Sequence, residues 1–113
     1  MKAQYYMQFA YKTNCDSLDV NNAQHKICLN LEFQKIDSIM NDKFIEYLNT
    51  IEVDSIRYSI KNLQNIWVTN RRQQSKLEAQ GYRGHMPSIY YISSMIFITD
   101  KRLEELIFLM DNK

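Results

Sequence analysis

Glycine and proline are almost absent from this chain. The first 80 residues contain neither, and Gly81, Gly84 and Pro87 are the only ones present. All three fall in the stretch Gly81-Tyr82-Arg83-Gly84-His85-Met86-Pro87. Glycine reaches backbone conformations that side chains forbid, and proline fixes φ and removes a donor. This stretch is therefore the one place where the sequence asks for an unusual backbone. Two glycines cannot build a Walker loop or a dinucleotide-binding fingerprint, so enzymes resting on those motifs are excluded and no cofactor is expected.

Other absences narrow the classes further. No window approaches 18 apolar residues, so no membrane span is expected. No charged stretch leads into an apolar run at the N-terminus, so no signal peptide is expected. Cys15 and Cys28 are too few for a disulfide framework and match no metal spacing. One bridge between them is conceivable, but two reduced thiols in a cytoplasmic protein are the preferred reading. The Asx-rich stretch holding Asn14, Asp16, Asp19, Asn21 and Asn22 lacks both the spacing and the glycine of an EF-hand loop. It reads as a solvated loop.

What is present suits an ordered domain. Of 113 residues, 45% are hydrophobic and 24% charged. That balance argues against disorder, and the length suits one domain spanning residues 1–113. Ile, Asn, Lys and Tyr abound, a bias suggesting an AT-rich genome such as those of low-GC bacteria and their phages. The net charge of +1 is unevenly spread. From Asn14 to Asp54 eight acidic residues face three lysines, a net of −5; from Ser55 to His85 six basic residues face Glu78 alone, a net of +5. Such a chain either presents two charged faces or neutralises one half against the other.

Periodicity predicts an α+β fold with a mainly antiparallel sheet and about three helices packed on it. Tyr5, Met7, Phe9 and Tyr11 alternate with Tyr6, Gln8, Ala10 and Lys12, and Ile27, Leu29, Leu31 and Phe33 alternate with polar neighbours. Two paired strands follow from this. Asp37 or Ser38 then caps a helix to Thr50 carrying Met40, Phe44, Leu48 and Ile51 on one face. Asp54 or Ser55 caps a second, with Ile56, Ile60, Leu63 and Trp67 inward; a strand is the rival reading, since Ile66-Trp67-Val68-Thr69 is β-prone. Residues 73–80 read as helix ended by Gly81. Ser88 to Thr99 is apolar on both alternating faces, which predicts a central strand. A last helix follows from Thr99 or Asp100, with Leu103, Leu106, Ile107 and Met110 inward.

The candidate site is basic. Arg71, Arg72, Lys76, Arg83 and His85, with Tyr82 beside them, suit a phosphate, a nucleic-acid backbone or an acidic protein patch. The plain alternative is a helix C-terminus with basic residues complementing its dipole. Asp37, Asp42 and Glu46, with Glu52 and Asp54, form a candidate acidic surface for a basic target. No catalytic residue and no metal ligand is assigned. His85 lacks a placed partner, and a phosphodiesterase built on His85 and His25 is the outlying alternative. The sequence thus points to a small non-enzymatic interaction protein, an inhibitor, immunity or accessory protein that blocks one macromolecular partner, for example a nuclease. The partner expected is a protein first and a nucleic acid second. The alternative function is nucleic-acid or nucleotide-phosphate binding through residues 71–85.

Overall fold

The computed structural model describes residue 15, residues 22–84 and residues 86–112. These form three helices in the order α1 (Asn22–Asn49), α2 (Asp54–Ala79) and α3 (Met86–Asp111). Helix α3 packs on both α1 and α2, most extensively on α1. There is no strand among the described residues.

The expected α+β class is therefore corrected to an all-helical one. The strand expected at residues 5–11 lies outside the described residues. The one expected at 27–33 is the first part of α1, and the one expected at 88–99 is the first half of α3, whose second half is the expected last helix. Buried polar residues explain both errors. On α1 the buried positions are Ile27, Asn30, Phe33, Met40 and Leu48, a helical series that an asparagine interrupts. Asn30 tolerates burial because its Nδ2 donates to the Lys26 carbonyl at 3.1 Å, one turn back. On α3 the series Ile92, Met95, Thr99 and Leu106 is interrupted by a threonine. Its hydroxyl donates to the Met95 carbonyl at 2.6 Å. With these two residues counted as polar, the apolar pattern reads as alternation.

Caps shift accordingly. Asp37 and Ser38 lie inside α1 and cap nothing. Helix α1 instead ends at a turn in which the Thr50 and Ile51 amides donate to the Tyr47 and Leu48 carbonyls. Arg57 Nη1 from α2 donates to the Leu48 carbonyl at 2.8 Å and to the Ile51 carbonyl at 3.2 Å. One guanidinium thus gives the Leu48 carbonyl a second donor, supplies the Ile51 carbonyl, and places a cation at the negative end of the α1 dipole. The N-cap of α2 is Val53, in extended backbone and without a side-chain cap. Helix, not strand, is confirmed for residues 56–69.

The core is small. Phe33, Ile92 and Met95 form its centre, with Leu29, Tyr91 and Ile96 packed around it. Each such buried side chain contributes about 1.5–3 kcal/mol of apolar transfer. Helix α2 contributes differently, because its buried residues are Gln64, Arg71 and Ser75. Of the expected inward face, Ile60 and Trp67 are half-buried while Ile56 and Leu63 are exposed: Leu63 is 63% exposed and its neighbour Gln64 6%. The helix is turned by less than one residue's step from the orientation that hydrophobicity alone selects.

Candidate functional site

Helix α2 delivers its polar residues into the bundle. Gln64 Nε2 lies 3.4 Å from Met40 Sδ of α1, and its Oε1 accepts from Arg102 Nε of α3 at 3.0 Å. Ser75 Oγ and Ser94 Oγ meet at 3.1 Å between α2 and α3. Between these two contacts Arg71, 7% exposed, donates through Nη1 to Asp37 Oδ1 at 2.7 Å and to Thr99 Oγ1 at 2.9 Å. Its guanidinium carbon stands 4.7 Å from the Trp67 ring centroid and 5.2 Å from that of Phe33. One side chain thus ties all three helices together, and aromatic faces cover a cation that water does not reach.

This arrangement divides the expected basic cluster. Arg71 is internal, and the Asp37 carboxylate that was expected on an acidic surface is half-buried against it. The charge halves of the sequence meet here, at a partly buried ion pair. Asp42 and Glu46 are exposed along α1, and Glu46 pairs with Lys43 at 3.2 Å. Arg72 is half-buried, with its Nε enclosed and lacking a hydrogen-bond partner among the described residues. Lys76 follows one turn later on the same flank and is exposed. His85 lies outside the described residues.

The glycine-bearing turn closes the α2–α3 end. Gln80 is the C-cap of α2, and Gly81 follows with φ +95°, as a residue just past a helix end should. Gly84 has φ +69°. No heavy atom stands within 4 Å of where a Cβ would sit on either glycine, so their requirement is conformational rather than steric. The Met86 amide donates to the Arg83 carbonyl at 3.3 Å, and Pro87 sits in the first turn of α3, where its missing N–H costs nothing. Arg83 is thereby held exposed at the tip, with no ion pair among the described residues.

Tyr82 stacks on Tyr90 with ring centroids 4.0 Å apart and planes 15° apart. Hydrogen bonding to the Tyr90 side chain, then the nearby Tyr90 and Glu78 charges and slight burial, raise the Tyr82 phenol above the ordinary value near 10.0. Leu77, Tyr82, Met86 and Tyr90 are all exposed at this end. A crevice of about 360 Å³ between Lys76, Ala79, Gln80, Pro87, Ser88 and Tyr91 continues the same surface. Sequence reasoning found Tyr82 and Arg83 but missed Leu77, Met86 and Tyr90.

Among the described residues no group of acidic, histidine or cysteine side chains could hold a metal ion. No helix of the described residues is long and apolar enough to cross a membrane. Cys15 and Cys28 form a disulfide, with Cα atoms 5.5 Å apart, in place of the two free thiols expected.

The model of a protein family described as "Lysozyme inhibitor LprI" matches residues 15–106, well over half of the chain. The chain belongs to this family. The match begins at the first cysteine of the disulfide and runs through all three helices into the C-terminal part of α3. The protein is accordingly a non-enzymatic inhibitor that binds a protein partner. No curated protein and no solved structure matches the chain.

Proposed function

We propose that this protein inhibits a lysozyme-type glycosidase by docking its α2–α3 end against the enzyme's carboxylate-bearing cleft. The enzyme blocked is then a cell-wall glycosidase and not a nuclease. The observation that carries the reading is the composition of that end. Leu77, Tyr82, Met86 and Tyr90 are exposed there together with the cations Lys76 and Arg83. Aromatic residues, methionine and arginine are what protein interfaces concentrate. Glycoside hydrolases of this kind work with a pair of carboxylates flanking the scissile bond. A cation on a tight, glycine-shaped turn is a suitable counterpart. Charge of this kind mainly speeds and selects encounter, while the apolar residues slow release.

The phosphate-binding alternative is weakened by the same geometry. Arg71, one of its expected ligands, is engaged by Asp37 and Thr99. The cytoplasmic expectation rested on reduced thiols. The Cys15–Cys28 disulfide instead supports an oxidising compartment, where such bonds form and persist.

The test is a turbidity assay of lysozyme on a bacterial cell-wall suspension, with the purified oxidised protein added. Wild type should slow lysis in a dose-dependent manner. Arg83→Glu should need at least tenfold more protein for the same effect. Lys61→Glu, about 22 Å along α2 from Lys76, should match wild type. Absence of inhibition rejects the enzyme class; full inhibition by Arg83→Glu rejects the surface.

A further inference from the structure

The disulfide leaves the chain's oxidation chemistry to its methionines. Both cysteines are taken up by the Cys15–Cys28 bond, and no free thiol remains. A thiolate is ordinarily the first side chain that a peroxide attacks, and a thioether is the next sulfur to react. Among the described residues the thioethers are Met40, Met86, Met95 and Met110. Met40 is 0% exposed, Met95 2% and Met86 41%. Gln64 Nε2 also lies 3.4 Å from Met40 Sδ and engages a lone pair that an oxidant would need. Met110 is half-buried near the end of α3. Met86 is therefore the one exposed thioether among the described residues.

Its surroundings give that exposure a consequence. Met86 opens α3 one turn before Tyr90, so the two side chains share a face. Tyr90 in turn carries the stacked Tyr82 ring. The Met86 amide donates to the Arg83 carbonyl at 3.3 Å, which sets residue 86 directly against the turn that presents the exposed Arg83. A thioether in such a place is apolar and adaptable, which suits contact with a partner. Its sulfoxide is polar and accepts hydrogen bonds. Covering that oxygen without a donor opposite it costs free energy, so the same contact is weakened.

We infer that Met86 is a peroxide-sensitive modification site through which oxidation turns the inhibitor off. The loss of inhibition rests on docking through the α2–α3 end; the selective reactivity of Met86 does not. In the step, Met86 Sδ gives an electron pair to one oxygen of hydrogen peroxide. The S–O bond forms as the O–O bond breaks, and the departing hydroxide takes up the remaining proton and leaves as water. The sulfur is oxidised and the peroxide reduced, with no further reactant. Met40 and Met95 stay unmodified in the interior, so the bundle is kept and only its contact surface changes. Methionine sulfoxide reductases reverse the step.

The test uses full-length, disulfide-intact wild type, Met86→Leu and Met110→Leu. Each is treated with hydrogen peroxide, and the excess is destroyed with catalase before lysozyme is added. Peptide mapping by mass spectrometry follows each methionine, and the turbidity assay compares each treated protein with its own untreated sample. Met86 should oxidise at least about tenfold faster than Met40 and Met95. Treated wild type and treated Met110→Leu should need at least about tenfold more protein for the same slowing of lysis, whereas treatment should not change Met86→Leu. Circular dichroism should be unaltered in all three. Oxidation of Met86 no faster than that of the buried methionines, an equal loss in Met86→Leu, or full inhibition by wild type oxidised at Met86 overturns the inference. Failure of untreated wild type to slow lysis overturns the docking reading and the loss of inhibition together, and it is told apart from the other outcomes because the peptide map still decides whether Met86 is the reactive site.

Discussion

Arg71 Nη1 lies 2.7 Å from Asp37 Oδ1, and this pair joins the basic half of the sequence to the acidic half inside the helical bundle. The arginine side chain is 7% exposed and the aspartate 26%. Removing one partner strands the other charge in a poorly solvated place. Asp37→Asn should therefore cost about 2–3 kcal/mol, lowering the melting temperature by more than about 10 °C. The double variant Asp37→Leu, Arg71→Met should recover most of that loss, since apolar residues of similar size replace such pairs at little cost. Thermal melts of the three proteins decide the matter. A single variant that melts with wild type would show the pair to be idle.

The neighbours Leu63 and Gln64 give a sharper test of how α2 is oriented. Hydrophobicity selects Leu63 for the core, whereas the structure buries Gln64 between Met40 and Arg102. Gln64→Ala should destabilise by about 1–2 kcal/mol, because Arg102 Nε loses its acceptor. Leu63→Ser should stay within about 0.5 kcal/mol of wild type. Urea unfolding of both variants provides the comparison, and the reverse ranking would mean that the helix is turned the other way.

That pair of residues also shows how much was legible in the sequence. The helix over 38–50 and the helical reading of 56–69 were visible, because Met40, Phe44, Leu48 and the glycine-free run carry an undisturbed period. The end of α2 at Gly81 was equally plain. The first part of α1 and the first half of α3 were not, although the last helix expected from Thr99 or Asp100 is the second half of α3. Asn30 and Thr99 occupy buried helical positions with local hydrogen bonds to the backbone, so a scan for apolar residues skips them. The β-branched and aromatic residues between Ile89 and Ile98 completed the false strand. The site was half legible. Arg83 and Tyr82 were found through the glycines, but nothing local marks Arg71 as internal. Its partners Asp37 and Thr99 are 34 and 28 residues away.

Reduction should weaken the fold. The Cys15–Cys28 bond closes a loop of sequence separation 13, for which loss of the cross-link costs about 3 kcal/mol. Melts with and without dithiothreitol should differ accordingly, and Cys15→Ser with Cys28→Ser should match the reduced protein. Identical melts in both conditions would contradict a structural role for the bond.

Tyr82 should titrate above the ordinary tyrosine value of 10.0. Its hydrogen bond with the Tyr90 side chain is the first cause, so Tyr90→Phe should bring it back toward 10.0. The sign follows from the raised value: the stacked arrangement favours the protonated phenol. Its contribution is complete below the unfolded value and disappears as pH rises through the folded one. Ultraviolet difference titration of wild type and Tyr90→Phe measures this. Superimposable curves would mean that the two hydroxyls do not interact.

The most direct measurement of the central claim is a calorimetric titration of the oxidised protein into lysozyme, at low and at physiological salt, for wild type and Arg83→Glu. The expected result is a saturable complex for wild type that weakens as salt screens the contact, and binding at least tenfold weaker at both salt concentrations for Arg83→Glu. Equal affinity of the two proteins, or no heat of binding from wild type, would contradict docking through the α2–α3 end.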